Sequence, residues 1–281
     1  MRIELATDPG DPQRPNEDYA SVALPALGQG GVLVLLDGVT PPEGDYGCRH
    51  SVPWFTARLG GAMLELSGSH RDMTLTEALA AAISRTAGVH RASCDLSHVR
   101  TPQATVVAAR WSGDTVEHLV LSDSVLLLEH PDGSVQPVLD SRLDELPPAV
   151  RAQRDTVRAL PRGSAERVAA GREYARTVES LRNAEGGFFT AAADPAVAAR
   201  AVTGSTPRSE VRSLTALTDG AGRWVEVFRE GTWAQCADLV SRHGPQPLID
   251  RVRAAEAADP ECRVHLRGKA RDDASVIFVM P

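Results

Sequence analysis

Apolar segments that end or begin at aspartates constrain the fold of this chain more than any other feature. There are four such junctions, namely 31–36 before Asp37, 117–122 before Asp123, 213–218 before Asp219, and 274–280 after Asp272 and Asp273. Short runs that are mostly apolar are typical of buried strands. A carboxylate at the end of a buried strand has a high free-energy cost of desolvation unless it caps a turn, pairs with an arginine or binds a cation.

These junctions together predict a cation site. A single Asp-Gly pair is more commonly a turn than a functional site. If the strands lie in two packed sheets, however, their ends converge, and the carboxylates repel one another until a multivalent cation relieves the repulsion. Carboxylate and water ligands select Mg²⁺, Mn²⁺ or Ca²⁺ over zinc.

The remaining patterns indicate an α+β fold. Strands are predicted at 2–6, 19–24, 31–36, 104–111, 115–123, 124–129, 135–139, 211–217 and 274–280. Helices are predicted at 51–66, at 76–90 with Thr76 as N-cap, within 147–183, at 233–243 and at 247–256. This order favours two sheets sandwiched between helix layers. Without a repeat or a clear linker, we expect one domain over residues 1–281, with an insert or lid around residues 140–190.

Composition excludes several functional classes. The net charge is −7, with no compensating basic stripe, so the chain has no electrostatic reason to bind nucleic acid. No apolar run reaches the length of a membrane span, and the N-terminus lacks the apolar region of a signal peptide. Cys48, Cys94, Cys236 and Cys262 form no CxxC pair, which argues against structural zinc. We expect reduced thiols in a cytoplasmic protein.

Six short motifs, in order, resemble those of the metal-dependent protein phosphatases, which are the type 2C serine/threonine phosphatases and their bacterial relatives. They are Arg14-Pro-Asn-Glu-Asp18, Asp37-Gly38, Pro102-Gln-Ala-Thr-Val, Ser122-Asp123-Ser124, Thr218-Asp219-Gly220 and Asp272-Asp273-Ala-Ser. Each is weak alone, but their common order over nearly the whole chain is specific. The resemblance implies a four-layer αββα sandwich, in which two antiparallel sheets pack face to face with helices outside.

The resemblance also implies a centre for two Mn²⁺ or Mg²⁺ ions. Asp37 resembles the carboxylate that bridges the two metals, and the carbonyl of Gly38 resembles a ligand of the first. Asp219 and Asp272 resemble ligands of the second metal. A metal pair of this kind activates a water that attacks phosphorus, so no protein nucleophile is needed.

Three further positions carry implied roles. Asp18, with Glu17 beside it, resembles the acidic pair near the second metal, and the sequence does not say which of the two reaches it. Asp123 resembles the residue that, with Asp219, holds a weaker third ion. Arg14 resembles the guanidinium that binds the substrate phosphate, a role that suits its planar fork.

Departures from the family pattern leave alternatives open. Residues 39–43 contain Pro41 and Pro42 where the family has glycines, which favours a second hypothesis of a weak or inactive phosphatase-fold signalling module. A third hypothesis is a structural Ca²⁺ domain, which would not need Arg14. His50, near this loop, is a candidate general acid, although a lone histidine is more commonly structural. We expect a monomer that acts on a phosphorylated protein or a small phosphate ester, without nucleic-acid or membrane partners.

Overall fold

A computed structural model describes residues 1–25, 30–42, 44 and 46–281. The strands are β1 Arg2–Asp8, β2 Tyr19–Ala23, β3 Gly31–Leu36, β4 Val106–Trp111, β5 Thr115–Leu121, β6 Val125–Glu129, β7 Val135–Val138, β8 Val202–Pro207, β9 Ser213–Leu217 and β10 Ala274–Met280. The helices are α1 Val52–Ser69, α2 Leu75–His90, α3 Pro148–Ala159, α4 Ala165–Leu181, α5 Asp219–Glu226, α6 Trp233–His243 and α7 Gln246–Ala258. No helix within these ranges is long and apolar enough to cross a membrane.

The strands form two five-stranded sheets in which every neighbouring pair is antiparallel. The first has the order β1-β10-β9-β6-β7, and the second has the order β2-β3-β4-β5-β8. The chain changes sheet between β5 and β6, which are separated only by residues 122–124. This short crossover brings Asp123 to the boundary between the sheets.

Three hydrophobic clusters lie between the layers of helices and sheets and hold them together. The inner faces of both sheets meet in a cluster that includes Leu33 and Leu35 from one sheet and Leu126 and Ile277 from the other. The outer face of the second sheet packs on α1 and α2. The outer face of the first packs on α5, α6 and α7. The predicted four-layer αββα sandwich is therefore confirmed.

Helices α3 and α4 form a pair with a small core of its own. Leu146, Val150 and Phe188 are buried there, with Tyr174 packed against them. Within the predicted 147–183 region, residues 160–164 separate the two helices. Arg100 makes a bidentate ion pair with Glu179 on α4, at 2.7 and 3.2 Å, and this contact joins the two helices to the rest of the domain.

Three local expectations differ from the structure. The N-cap of α2 is Thr74, whose hydroxyl accepts the N–H of Glu77 in a capping box, so the expected N-cap at Thr76 was wrong. Strand β8 was not predicted, because its sequence VTGSTP carries only one apolar aliphatic residue. The predicted strand 115–123 ends at Leu121, since Ser122 has a φ of 70° that breaks the ladder.

The proline-containing segment 39–43 falls partly on residues that the structure leaves undescribed. Glu43, the last residue of the proline-containing segment 39–43, lies outside the described residues, as does Asp45. The rest of that segment is described. Its first residue, Val39, donates its N–H to the carbonyl of Gln103 at 2.9 Å.

Candidate metal centre

Asp37 is held at the end of β3 by the start of the neighbouring strand. All six residues of β3 are buried, and Asp37 is the first polar residue after them. Its N–H donates to the hydroxyl of Thr105 at 3.2 Å, and its carbonyl accepts the N–H of Thr105 at 2.9 Å. Gly38 is buried and forms an isolated bridge with Ala104. The backbone of this junction is therefore fixed before any ion binds.

Asp219 and the pair Asp272-Asp273 come together because β9 and β10 are antiparallel neighbours. Asp219 begins α5 directly after β9, whereas Asp272 and Asp273 directly precede β10. A Cβ atom on Gly220 would lie 1.9 Å from the carbonyl oxygen of Asp273, so only glycine allows this close approach. The Thr218 N–H donates to the carbonyl of Ser275 at 3.1 Å and closes the junction.

Of the two acidic residues at positions 17 and 18, Asp18 faces the other aspartates. The hydroxyl of Thr218 donates to its Oδ2 at 3.1 Å. Its Oδ1 is buried and has no hydrogen-bond partner among the described residues. The Glu17 carboxylate instead accepts a hydrogen bond from the hydroxyl of Thr40, on the loop after Gly38.

Asp123 lies at the crossover between the sheets. Ser122, in the left-handed region with a φ of 70°, donates its N–H to Asp140 Oδ2 at 2.8 Å. Its hydroxyl donates to Asp123 Oδ1 at 3.2 Å. The left-handed conformation explains why glycine would suit position 122, because a side chain there is strained.

The pKa values show how strongly these carboxylates affect one another. Burial raises the pKa of Asp37 well above its ordinary value, and the charges of Asp219, Asp18, Asp272 and Asp123 add to the rise. Four aspartates from separate elements therefore act on one carboxylate. Such a group is stable in its charged form only when cations are supplied.

Two neighbours of Asp37 show the same effect. Burial raises the pKa of Asp18 to about 8, where hydrogen bonds from Ser275 and Thr218 oppose the rise and the charges of Asp273 and Asp219 add to it. Burial and the charge of Asp219 raise the pKa of Asp123 to about 7.

Asp272 is already paired with two cationic side chains. Arg223 donates to its Oδ2 at 2.7 Å, and Lys269 donates to its Oδ1 at 2.7 Å. Arg223 also binds Glu256 at 2.8 Å, with both side chains almost fully buried. Lys269 reaches the hydroxyl of Thr40 at 3.0 Å as well. Sequence reasoning missed Lys269 and Arg223, since neither belongs to a motif and only the tertiary structure brings them to Asp272.

Asp273 has a structural rather than a ligand-like position. Its two carboxylate oxygens accept the N–H groups of Gly10 at 2.8 Å and of Glu17 at 2.7 Å. It thereby holds the segment between β1 and β2 in place. Its charge still acts on Asp18, whose pKa it helps to raise.

A cleft of about 790 Å³ opens beside Asp272. Arg14 lines it and is exposed, and its guanidinium has no hydrogen bond or ion pair within the described part of the chain. Lys269, Arg100 and His50 also line this cleft. The cleft thus combines an acidic edge with cationic side chains, an arrangement that can bind an anion next to a cation centre.

The donor set fits hard divalent cations. The converging side chains offer carboxylate oxygens only, which Mg²⁺ and Mn²⁺ prefer. The buried Oδ1 of Asp18 lacks a partner, and a bound ion would satisfy it. Asp18, Asp37, Asp219 and Asp272 could share two ions, with Asp123 at the edge.

Two face-to-face antiparallel sheets, with aspartates from both sheets meeting at one end, define the architecture of the metal-dependent phosphatases. The chain belongs to the protein phosphatase 2C family, because residues 11–247 match the model of that family. No curated protein has a sequence significantly similar to the chain.

Solved structures of this family share the fold. The serine/threonine phosphatase Stp1 from Staphylococcus aureus is 12% identical, with a TM-score of 0.59 over 100% of this chain and 95% of that one. The Mycobacterium tuberculosis phosphatase PstP/Ppp is 15% identical, with a TM-score of 0.52 over 99% and 97%. A PstP catalytic domain in complex with two manganese ions is 15% identical, with a TM-score of 0.51 over 99% and 96%. At these identities the likeness shows the fold alone.

Proposed function

We propose that this protein is a Mn²⁺- or Mg²⁺-dependent phosphatase that hydrolyses phosphoserine or phosphothreonine in proteins, or a small phosphate monoester. The observation that carries the proposal is the electrostatic convergence of Asp18, Asp37, Asp123, Asp219 and Asp272, which arise from separate elements. Five buried or half-buried carboxylates that repel one another are costly without cations. The cleft beside them is lined by Arg14, whose guanidinium has no partner among the described residues, and it gives the place for a phosphate.

Each side chain has a proposed role. Asp37 would hold both ions, the Gly38 carbonyl would hold the first, and Asp219 and Asp272 would hold the second. Asp18 is the acidic residue that would reach this ion, since the Glu17 carboxylate accepts a hydrogen bond from the hydroxyl of Thr40. Asp123, together with Asp219, would hold a weaker third ion.

The protein residues orient the phosphate and balance its charge. When bound, the two ions lower the pKa of water and so supply a nucleophile near neutral pH. Arg14 binds two phosphate oxygens with its planar fork and compensates the charge that grows in the transition state. Lys269 also lines the cleft and adds a second positive charge.

We further propose one catalytic domain over residues 1–281, acting as a monomer in the cytoplasm. The insert around residues 140–190 borders the cleft through Arg162, which donates to the carbonyl of Gly268 at 3.2 Å. In this position the insert can select among phosphorylated substrates.

Phosphate release from p-nitrophenyl phosphate and from a phosphothreonine peptide tests the proposal. With Mn²⁺ we expect turnover that chelator abolishes, and Asp37→Asn should lose at least about 100-fold because the bridging carboxylate is gone. Asp250→Asn, an exposed residue on α7, is the matched control and should keep full activity. Equal rates for wild type and Asp37→Asn would refute the catalytic claim. Arg14→Ala should raise KM for the phosphopeptide and also lower kcat, since Arg14 binds the phosphate and compensates charge in the transition state.

One observation favours the second function, a weak or inactive signalling module. The Lys269 ammonium, 2.7 Å from Asp272 Oδ1, already supplies a cation where an ion would bind. Pro41 and Pro42 also stiffen the loop that carries Thr40. This function predicts a folded protein without Mn²⁺-dependent turnover.

A further inference from the structure

Two cysteines and two histidines, distant in sequence, meet outside the aspartate centre. Cys48 and His50 precede α1, whereas His90 ends α2 and Cys94 follows it. Their four ligand atoms, one from each side chain, all lie within 4.8 Å of one another. In the described ranges (1–25, 30–42, 44 and 46–281) this is the one group of three or more such residues packed so tightly.

The sulfur–nitrogen distances match the edges of a tetrahedron around zinc. Cys48 Sγ lies 3.6 Å from His50 Nδ1 and 3.5 Å from His90 Nδ1, and Cys94 Sγ lies 3.4 Å from His50 Nδ1. Tetrahedral zinc, with bonds of about 2.3 Å to sulfur and about 2.0 Å to nitrogen, places sulfur and nitrogen about 3.5 Å apart. The two sulfur atoms are 3.3 Å apart, well beyond the bond length of about 2.05 Å in a disulfide.

The surroundings support four protein ligands without an open position. The backbone N–H of His50 donates to Cys48 Sγ at 3.4 Å, an interaction that stabilises a thiolate. The indole of Trp54 stacks on the His50 ring, with 4.0 Å between the ring centroids, and its centroid lies 5.1 Å from that of His90. His90 is 2% exposed. These ring contacts cover part of the site, in which His90 is buried and the other three ligand residues are half-buried.

The backbone also brings the two segments together. The Asp95 N–H donates to the carbonyl of Gly47 at 2.7 Å. Gly47 has a φ of +65°, and a Cβ atom there would lie 2.3 Å from the Cβ of His98. Glycine at this position allows both the turn and the close approach.

We propose that Cys48, His50, His90 and Cys94 bind one structural Zn²⁺ ion. Two thiolates and two imidazoles in tetrahedral geometry form a closed structural zinc site. The ion would join the loop that follows Gly38 to the C-terminal end of α2. This loop carries Thr40, which contacts Glu17 and Lys269 at the edge of the cleft. The zinc would therefore fix the far end of a loop that borders the aspartate centre. The proposal does not depend on phosphatase activity.

The proposed site does not use CxxC pairs, on whose absence the sequence-based expectation against zinc rested. The ligands come as Cys-x-His and His-x₃-Cys, two mixed pairs whose spacing suits a shared ion. Each pair alone is a weak signal, and only the packing of the loop before α1 against the end of α2 joins them.

Metal analysis and spectroscopy of the full-length protein, purified under reducing conditions, test the proposal. We expect about one zinc ion per chain, with two sulfur and two nitrogen ligands by X-ray absorption. Replacement by Co²⁺ should give the thiolate charge-transfer and intense ligand-field bands of a tetrahedral complex. These measurements use the wild type, so they do not depend on whether a variant folds. Protein without zinc, and without these bands after addition of Co²⁺, would overturn the proposal.

Variants locate the ion. Cys48→Ser and Cys94→Ser should retain less than about a tenth of the zinc, because a structural site needs all four ligands. Cys236→Ala and His243→Ala are the matched controls and should retain it fully, as should Asp37→Asn. Zinc that stays in the Cys48 and Cys94 variants, or leaves with Asp37→Asn, would refute the assignment. A non-reduced mass lower by two hydrogen atoms, with no zinc bound, would indicate a disulfide instead and would also refute it.

Discussion

Substitution of Arg223 by methionine should destabilise the protein strongly. The Arg223 guanidinium makes two charged hydrogen bonds, to Glu256 at 2.8 Å and to Asp272 at 2.7 Å. The side chains of Arg223 and Glu256 are 7% and 0% exposed. Methionine preserves much of the volume, but it leaves Glu256 with Arg253 as the one remaining cationic partner among the residues that the structure describes. Breaking a buried pair from one side costs about 3–5 kcal/mol.

The free-energy cost translates into a measurable melting shift. An unfolding entropy of about 2.1 cal/mol/K per residue, summed over 281 residues, gives a decrease in Tm of about 5–8 °C for that cost. The assay is differential scanning calorimetry with chelator present, so that ion binding does not contribute.

Arg242→Met is the matched control. Arg242 and its partner Asp238 are 70% and 57% exposed, so removing their ion pair should cost at most about 0.5 kcal/mol and shift Tm by about 1 °C or less. Equal shifts for the two variants would refute the inference that the buried pair stabilises the region behind the aspartate centre.

Three further predictions follow from other contacts. Although burial opposes it, hydrogen bonds from the His265 N–H and the Arg267 guanidinium hold the pKa of Asp259 well below its ordinary value. In urea melts, the difference in free energy of unfolding between wild type and Asp259→Asn should therefore be constant above about pH 5 and shrink as the pH falls below about 4. A difference that stays unchanged at low pH would contradict this expectation. Lys269→Gln should lower the Mn²⁺ concentration at the midpoint of a thermal shift several-fold, since one competing positive charge is removed, and a higher midpoint would contradict this. Leu59→Ala, at a fully buried position of α1, should cost about 2–5 kcal/mol in the same melts, and a cost below 1 kcal/mol would show that α1 does not pack as described.

Local sequence patterns predicted the fold because most elements follow their own periodicity. The runs 31–36 and 274–280 form strands with the predicted bounds, and the helix over 233–243 also has the predicted bounds. Strand β8 escaped prediction because it contains few apolar residues and is defined by its pairing with β5. An edge strand of this kind depends on its neighbour rather than on its own composition.

The candidate site was predictable only in part. Asp37, Asp123 and Asp219 stand at strand ends, so local sequence was enough to single them out. Lys269 and Arg223 contact Asp272 through tertiary structure, and nothing in their immediate sequence indicates a role. The same holds for the group formed by Cys48, His50, His90 and Cys94, which only the packing of two distant segments brings together.

The central claim is that Asp37 lies between two divalent ions. Crystals grown with Mn²⁺, measured by anomalous scattering at the manganese edge, test it most directly. We expect two peaks about 3.5–4 Å apart, with the carboxylate of Asp37 contacting both. An anomalous map without a peak beside Asp37, in crystals saturated with Mn²⁺, would contradict it.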